Sequence, residues 1–252
     1  MSIYAVYFSP TGGTKRVLDI LVQKWKPDVR IDLCAAKTDY STYCFGKDDV
    51  CFVGVPSYGG RVPAAAIERI RKMQGGGASA VLAVVYGNRA YDDTVLELKE
   101  ELEGRGFKVF SAVAAVAEHS IMRQFGTGRP DAQDKAELLA FSDSIRAAWR
   151  QGESGELKVP GNRPYREYKG VPFKPSAGKK CNGCGLCAEE CPVQAIRADS
   201  PAAADGDICI SCMRCISVCP QHARQLNKLV LSAASRKMKK ACGGRKENEL
   251  FL

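Results

Sequence analysis

The sequence predicts an open α/β fold, a five-stranded parallel sheet of strand order 2-1-3-4-5, followed by a small α+β unit built around cysteine. Two observations carry this reading. The first 150 residues alternate short apolar runs with helical stripes, as a parallel sheet covered by helices on both faces requires. Eight of the twelve cysteines then fall between residues 181 and 219, in two copies of one motif.

The elements follow in order. IYAVYF (3–8) is continuously apolar, as expected of a strand buried on both sides. Val17, Leu18, Leu21, Val22 and Trp25 form the stripe of a first helix. VRIDLC (29–34) and VCFVGVP (50–56) read as the second and third strands, with a helix over 63–73 and a breaker at the glycines of 75–77. AVLAVVY (80–86) is the fourth strand. The helix over 92–104 carries Asp92 and Asp93 in its first turn, where the helix dipole favours acids. FKVFSAVAAVA (107–117) is the fifth strand, and Leu138, Phe141, Ile145 and Trp149 mark a last helix over 131–150. These elements define a first domain, 1–150. Residues 151–178, rich in Pro, Gly and charge, read as a linker that packs in places through Tyr165, Tyr168 and Phe173. A cysteine domain spans 179–227, and 228–252 is a basic helix and tail.

Composition narrows the function. With 252 residues and 45% hydrophobic composition the chain can bury a core, and no apolar run is long enough to span a bilayer. The N-terminus lacks a basic leader and a cleavage site, so a cytoplasmic location without membrane insertion is expected. The net charge of +9 hints at nucleic acid, but its distribution does not. Residues 1–150 hold 20 basic against 18 acidic groups, 179–227 five of each, and 228–252 seven against two. The excess is a tail containing Arg236, Lys237, Lys239, Lys240, Arg245 and Lys246, a surface for a redox partner protein rather than for nucleic acid.

CNGCGLCAEECPVQAI (181–196) repeats as CISCMRCISVCPQHAR (209–224), each half reading C-x2-C-x2-C-x3-C-P. Three thiolates from one tight loop hold one face of a 4Fe-4S cubane, and the fourth cysteine crosses to the other cluster. Cys181, Cys184, Cys187 and Cys219 are thus assigned to one cluster, and Cys209, Cys212, Cys215 and Cys191 to the other. A structural zinc site pairs two C-x2-C knuckles and has no use for a third cysteine at the same spacing. Of the remaining cysteines, Cys34 and Cys51 read as small buried hydrophobes in strands, and Cys44 and Cys242 as exposed thiols without a neighbouring base.

SPTGGT (9–14), between the first strand and helix, suits an anion. It lacks the lysine–hydroxyl pair of a Walker loop, the third glycine of a dinucleotide fingerprint, and a cysteine nucleophile. What remains is a nest of hydroxyls and amides at a helix N-terminus, or simply a helix cap. PSYGGRVP (56–63) and YGNRAYDD (86–93) follow the third and fourth strands and lie at the same sheet edge, each offering an aromatic residue beside glycine for a flat ring.

On SPTGGT and the tyrosine loops the N-terminal half resembles flavodoxin. On the cysteine repeat, about 45 residues resemble two-cluster bacterial ferredoxins, with a longer insertion at 198–207. Together the chain looks like the flavodoxin–ferredoxin fusion proteins of anaerobic prokaryotes. The resemblance implies a flavodoxin-like sheet, a bacterial ferredoxin-like domain, FMN and two 4Fe-4S clusters. It implies that Ser9, Thr11 and Thr14 offer hydroxyls, and Gly12, Gly13 and Thr14 amides, to the flavin phosphate. Pro56, Ser57, Tyr58, Gly59, Gly60, Gly87, Asn88, Tyr91 and Asp92 would flank the ring, with Tyr58 and Tyr91 stacking and Asn88 on its polar edge. The 118–134 segment also fits that family, and the resemblance implies that it lines the flavin site. His119 is a candidate proton donor near the flavin or a packed histidine, His222 is structural, and Arg123 and Arg129 are candidates for an anionic substrate or the phosphate.

The expected function is electron transfer that couples one-electron and two-electron partners through the clusters and FMN. Two other readings stand beside it. One is a ferredoxin-dependent FMN reductase of a small-molecule electron acceptor such as a quinone or nitro compound. The other is a redox-sensing binding protein.

Overall fold

The computed structural model describes residues 1–152 and 155–252. Five parallel strands run in the expected order, β2-β1-β3-β4-β5: β1 (Ile3–Tyr7), β2 (Val29–Asp32), β3 (Val50–Pro56), β4 (Ser79–Tyr86) and β5 (Lys108–Val116). The period of two in β3 splits its side chains between two cores. Val50 and Phe52 join the layer under α1 (Gly13–Leu21) and α4 (Ala132–Gln151). Cys51, Val53 and Val55 join the layer under α2 (Ala64–Ile70) and α3 (Thr94–Glu103). The stripe of α1 is buried through Val17, Leu18 and Leu21, and Leu138 and Ile145 of α4 are buried beside it. Gly54 lets α1 approach: a Cβ there would lie 3.1 Å from the Thr14 methyl carbon and 3.5 Å from Leu18. The start of α1 is thereby pressed onto the sheet at its carboxyl edge, where loops from β1, β3 and β4 meet.

The sheet has a sixth strand that the periodicity does not announce. β8 (Glu249–Phe251) pairs antiparallel with β5, Phe251 opposite Ala112. The expected five parallel strands are all present, and the end of the C-terminal segment adds an antiparallel edge strand to them. Asn248 leads into β8, buried; its Oδ1 accepts from Val116 N at 2.9 Å and its Nδ2 donates to Asp134 Oδ1 at 3.0 Å. Arg245 pairs with Asp131 at 2.7 Å and Asp134 at 2.9 Å, the two acids of the capping box that starts α4. Cationic character thus remains with α7 (Lys228–Met238), whose last turn holds Arg236 and Lys237.

Residues 157–175 form an extended strap across α3. Leu157 is buried in the α2–α3 layer, and Tyr165 and Arg163 bond to Glu100. Asp93, at the head of α3, accepts from Asn162 N at 2.9 Å and Arg166 N at 2.7 Å. Phe173 then enters a third cluster with Met122, Phe125, Met213 and Cys242, against which Leu231, Ala234 and Met238 of α7 pack.

The cysteine region contains two short helices, α5 (Leu186–Glu189) and α6 (Arg214–Ser217), and a two-stranded ribbon, β6 (Ser176–Ala177) with β7 (Arg224–Gln225). The repeat in sequence is a repeat in backbone. Gly183, Gly185 and Gln194 have positive φ, and so do their counterparts Ser211, Met213 and His222. Left-handed backbone at non-glycine residues is uncommon, and here it recurs at matched positions of the two halves. His222, expected to be structural, occupies one of these positions. Arg69, buried in α2, donates to Leu33 O and to Pro192 O, joining the cysteine region to the sheet. Among the described residues no helix is long and apolar enough to cross a membrane.

Candidate functional site

The loops at the carboxyl edge open onto one cavity of about 400 Å³, within the range of a site for a small ligand or cofactor. The β1 loop contributes Ser9, Thr11, Gly13 and Thr14, the β3 loop Pro56, Ser57, Tyr58 and Gly59, and the β4 loop Gly87. At the start of α1 Gly12 takes φ +85° as the N-cap. Ser9 Oγ accepts from Lys15 N at 2.9 Å, leaving its own hydrogen to donate. The N–H groups of Gly13 and Thr14 belong to the first turn, which has no intrahelical partners. Hydroxyl and amide donors thus converge without a charged side chain among them.

Other sequence candidates stand apart from the cavity. Asn88 is buried, and its Nδ2 donates to Cys242 O and Gly244 O, both at 2.7 Å. It fastens the C-terminal segment instead of facing a ring. Tyr91 stacks edge-on against Tyr86 and its hydroxyl donates to Glu249 at 2.9 Å. Asp92 is neutralised by Arg89 and Arg166. Gly12 and Gly60 shape their loops without lining the cavity. Arg129 is buried against Asp134, and Arg123 is an exposed partner of Glu118, so neither offers a free anion site.

The walls that the periodicity did not disclose come from beyond residue 117. Tyr168 and Val171–Phe173 of the strap, Ile121 and Met122 after β5, and Ala234, Lys237 and Met238 of α7 close the cavity. Tyr168 lies over Gly59, where an added Cβ would meet its ring at 2.2 Å, so glycine is required for that approach. Tyr168 and Phe173 carried a sequence signal as packing aromatics in the strap, and Ile121 and Met122 belong to the 118–134 segment expected to line the site.

His119 also lines the cavity. Its ring lies on Gly87, and its Nδ1 accepts from Ile121 N at 3.1 Å and Met122 N at 3.2 Å. Those donors fix the neutral tautomer with hydrogen on Nε2, and burial lowers the pKa. Burial pushes the Tyr58 hydroxyl well up, so it remains a neutral donor. The thiols of Cys34 and Cys51 are likewise raised by burial and remain protonated, as inert core residues do. Cys44 is exposed as expected, whereas Cys242 is buried in the third cluster.

The eight repeat cysteines ring two hollows. Cys181, Cys184, Cys187 and Cys219 line one; Cys191, Cys209, Cys212 and Cys215 line the other. Among the described residues no three ligand side chains close on a single ion. Each crossing cysteine accepts a backbone N–H at 3.3 Å, Cys191 from Ala195 and Cys219 from Ala223. Donors of this kind offset negative charge in a cluster. The first hollow is the outer one, with Cys181 and Cys184 exposed; the second is nearly covered.

Residues 180–223 match the family described as a 4Fe-4S dicluster domain. The chain joins a flavodoxin-like α/β unit to a 4Fe-4S dicluster domain. Part of the fusion is 39% identical over 59 residues to a subunit of the ion-translocating oxidoreductase complex of Methanosarcina acetivorans, covering 23% of this chain and 22% of that protein. The fusion therefore spans about a fifth of that relative's length. Its N-terminal half overlays the flavodoxin of Streptococcus pneumonia TIGR4 (TM-score 0.41, 17% identity, 57% of this chain and 97% of that one). It also overlays oxidised flavodoxin 1 of Bacillus cereus (TM-score 0.42, 15% identity, 58% and 98%). The strand order 2-1-3-4-5 and the hydroxyl- and glycine-bearing loop between β1 and α1, not these overlays, make the unit flavodoxin-like.

Proposed function

We propose that the protein carries electrons between two 4Fe-4S clusters and FMN, coupling one-electron and two-electron redox partners. One observation supports this most: a single loop serves both centres. Ile210, between Cys209 and Cys212, lines the inner cysteine hollow and the flavodoxin-side cavity, and Ser211 beside it lines the cavity. FMN would be held by the hydroxyls of Ser9, Thr11 and Thr14 and the amides of Gly13 and Thr14, with Tyr58, Gly59, Gly87 and Tyr168 around the ring. FMN accepts one or two electrons, and each cluster one at a time. The protein sets distance, cover and polarity. The outer cluster, with its exposed cysteines, is the port for a redox partner protein, and the inner cluster relays to the flavin.

Anaerobic reconstitution tests the reading. It expects about eight irons and one FMN per chain, and flavin bleaching that follows cluster reduction in stopped-flow experiments. Iron without flavin, or flavin reduced no faster than free FMN under the same donor, would reject it. His119 at the cavity supports a second reading, a ferredoxin-dependent reductase of a small acceptor. In that case a quinone or nitro compound is turned over faster than by free FMN, and His119→Gln slows that turnover.

A further inference from the structure

Among the positions buried in both halves of the cysteine repeat, one differs. Residue 16 of each half is Ile196 in the first and Arg224 in the second. Their surroundings exchange: Ile196 lines the inner hollow, whereas Arg224 lines the outer one with Cys181, Cys184, Cys187 and Cys219. Arg224 is only 4% exposed. Two of its nitrogens donate to Pro175 O, at 3.0 Å, and to Pro201 O. Its Nε is buried without any hydrogen-bond partner, the one such side-chain atom among the described residues.

A buried guanidinium cannot shed its proton, and burying it without a counter-charge is expensive. Arg224 makes no ion pair among the described residues. The arginine beside the inner hollow differs, because Arg214 is paired with Glu190. An orphan donor and an uncompensated cation therefore stand together at the wall of four thiols. A thiolate-ligated cluster carries negative charge and gains more on reduction, so it supplies both the missing acceptor and the missing counter-charge.

We propose that Arg224 sets the reduction potential of the outer cluster, donating through Nε to its sulfur and raising its potential above that of the inner cluster. The inference rests on the dicluster reading. Hydrogen bonds to sulfur and local charge are established controls of cluster potential; Arg224 lines the outer hollow and offers both there from an unpaired side chain, while its charge also reaches Cys215 of the inner set. The outer cluster takes the first electron and holds it on the side away from the flavin.

The experiment is a redox titration of the holoprotein, followed by electron paramagnetic resonance, after iron and sulfide analysis. Cys184→Ser marks which signal belongs to the outer cluster. Arg224→Ile copies the other half of the repeat. It should lower the outer cluster's reduction equilibrium tenfold or more, about 59 mV for a one-electron couple, and move the inner cluster less. Arg224→Lys keeps the charge, removes Nε, and should give a smaller shift in the same direction; it also serves if the isoleucine variant fails to load iron. Unchanged outer potential in an iron-replete variant, or a larger shift at the inner cluster, overturns the assignment. A wild-type protein lacking two clusters would instead overturn the dicluster reading on which it rests.

Discussion

Asp93 ties the strap to α3, and removing it should loosen one wall of the cavity without touching that wall. The carboxylate is 2% exposed and accepts from Asn162 N (2.9 Å), Asn162 Nδ2 (3.1 Å) and Arg166 N (2.7 Å). A hydrogen bond to a charged acceptor contributes about 1.5–3 kcal/mol. The Asn162 side chain regains water on release, so only the two backbone bonds are counted, at the lower limit, giving about 3 kcal/mol. At 1.4 kcal/mol per decade, Asp93→Ala should raise strap opening about a hundredfold. The assay is hydrogen exchange over residues 162–173, with FMN affinity measured by fluorescence quenching. Protection should fall by about that factor, and FMN should bind more weakly because Tyr168 is no longer held over Gly59. The carboxylate also gives a pH signature. Burial alone would raise its pKa, but the Arg166 and Asn162 donors outweigh burial and hold it below the ordinary value, ~3.9. Its stabilisation is therefore complete above about pH 4 and is lost as pH falls through the depressed native value. The alanine variant should lack that loss. Protection and affinity both within twofold of wild type would refute the reasoning.

Three further outcomes follow from the geometry. Thr11→Ala and Thr14→Val each delete one hydroxyl from the anion loop. Each should weaken FMN binding roughly 10- to 150-fold, the worth of one charge-assisted hydrogen bond, with iron content unchanged by assay. Asn248→Ala leaves the buried Val116 N–H without its acceptor, costing ~1–3 kcal/mol and lowering Tm by several degrees in calorimetry. His119 has a native pKa below its unfolded value of ~6.5 because of burial. Stability should accordingly fall as pH drops below about 6.5, down to the native pKa, and denaturant titrations of His119→Gln should show a flatter profile over that range.

The sequence disclosed what is local or repeated. A continuously apolar β1 followed by hydroxyls and glycines can be read within a dozen residues, and the cysteine repeat carries its own pairing. Asn88 shows where such reading ends. Its position in the β4 loop suits a ring, yet its amide is taken by carbonyls of Cys242 and Gly244, more than 150 residues away. Tyr91 is drawn off in the same way, by Glu249. Three residues of β8 are too few to show a period of two, and their pairing depends on Asn248 meeting Asp134 across the chain. The cavity wall from α7 was hidden for a related reason. Its stripe reads as an ordinary amphipathic helix until the strap and Met122 are in place beneath it.

The return of the chain to β5 changes the connectivity of the two halves. With β8 paired in the first sheet, the dicluster region is an insertion within the α/β unit, fastened where it leaves and again where it comes back. A domain on a single tether samples many orientations, and its cofactor meets its partner only part of the time. A domain sewn at both ends gives up most of that rotational freedom once, on folding. On the proposed electron-transfer function, passage between clusters and flavin would then follow a fixed path instead of a search, and partner proteins would compete for the outer face.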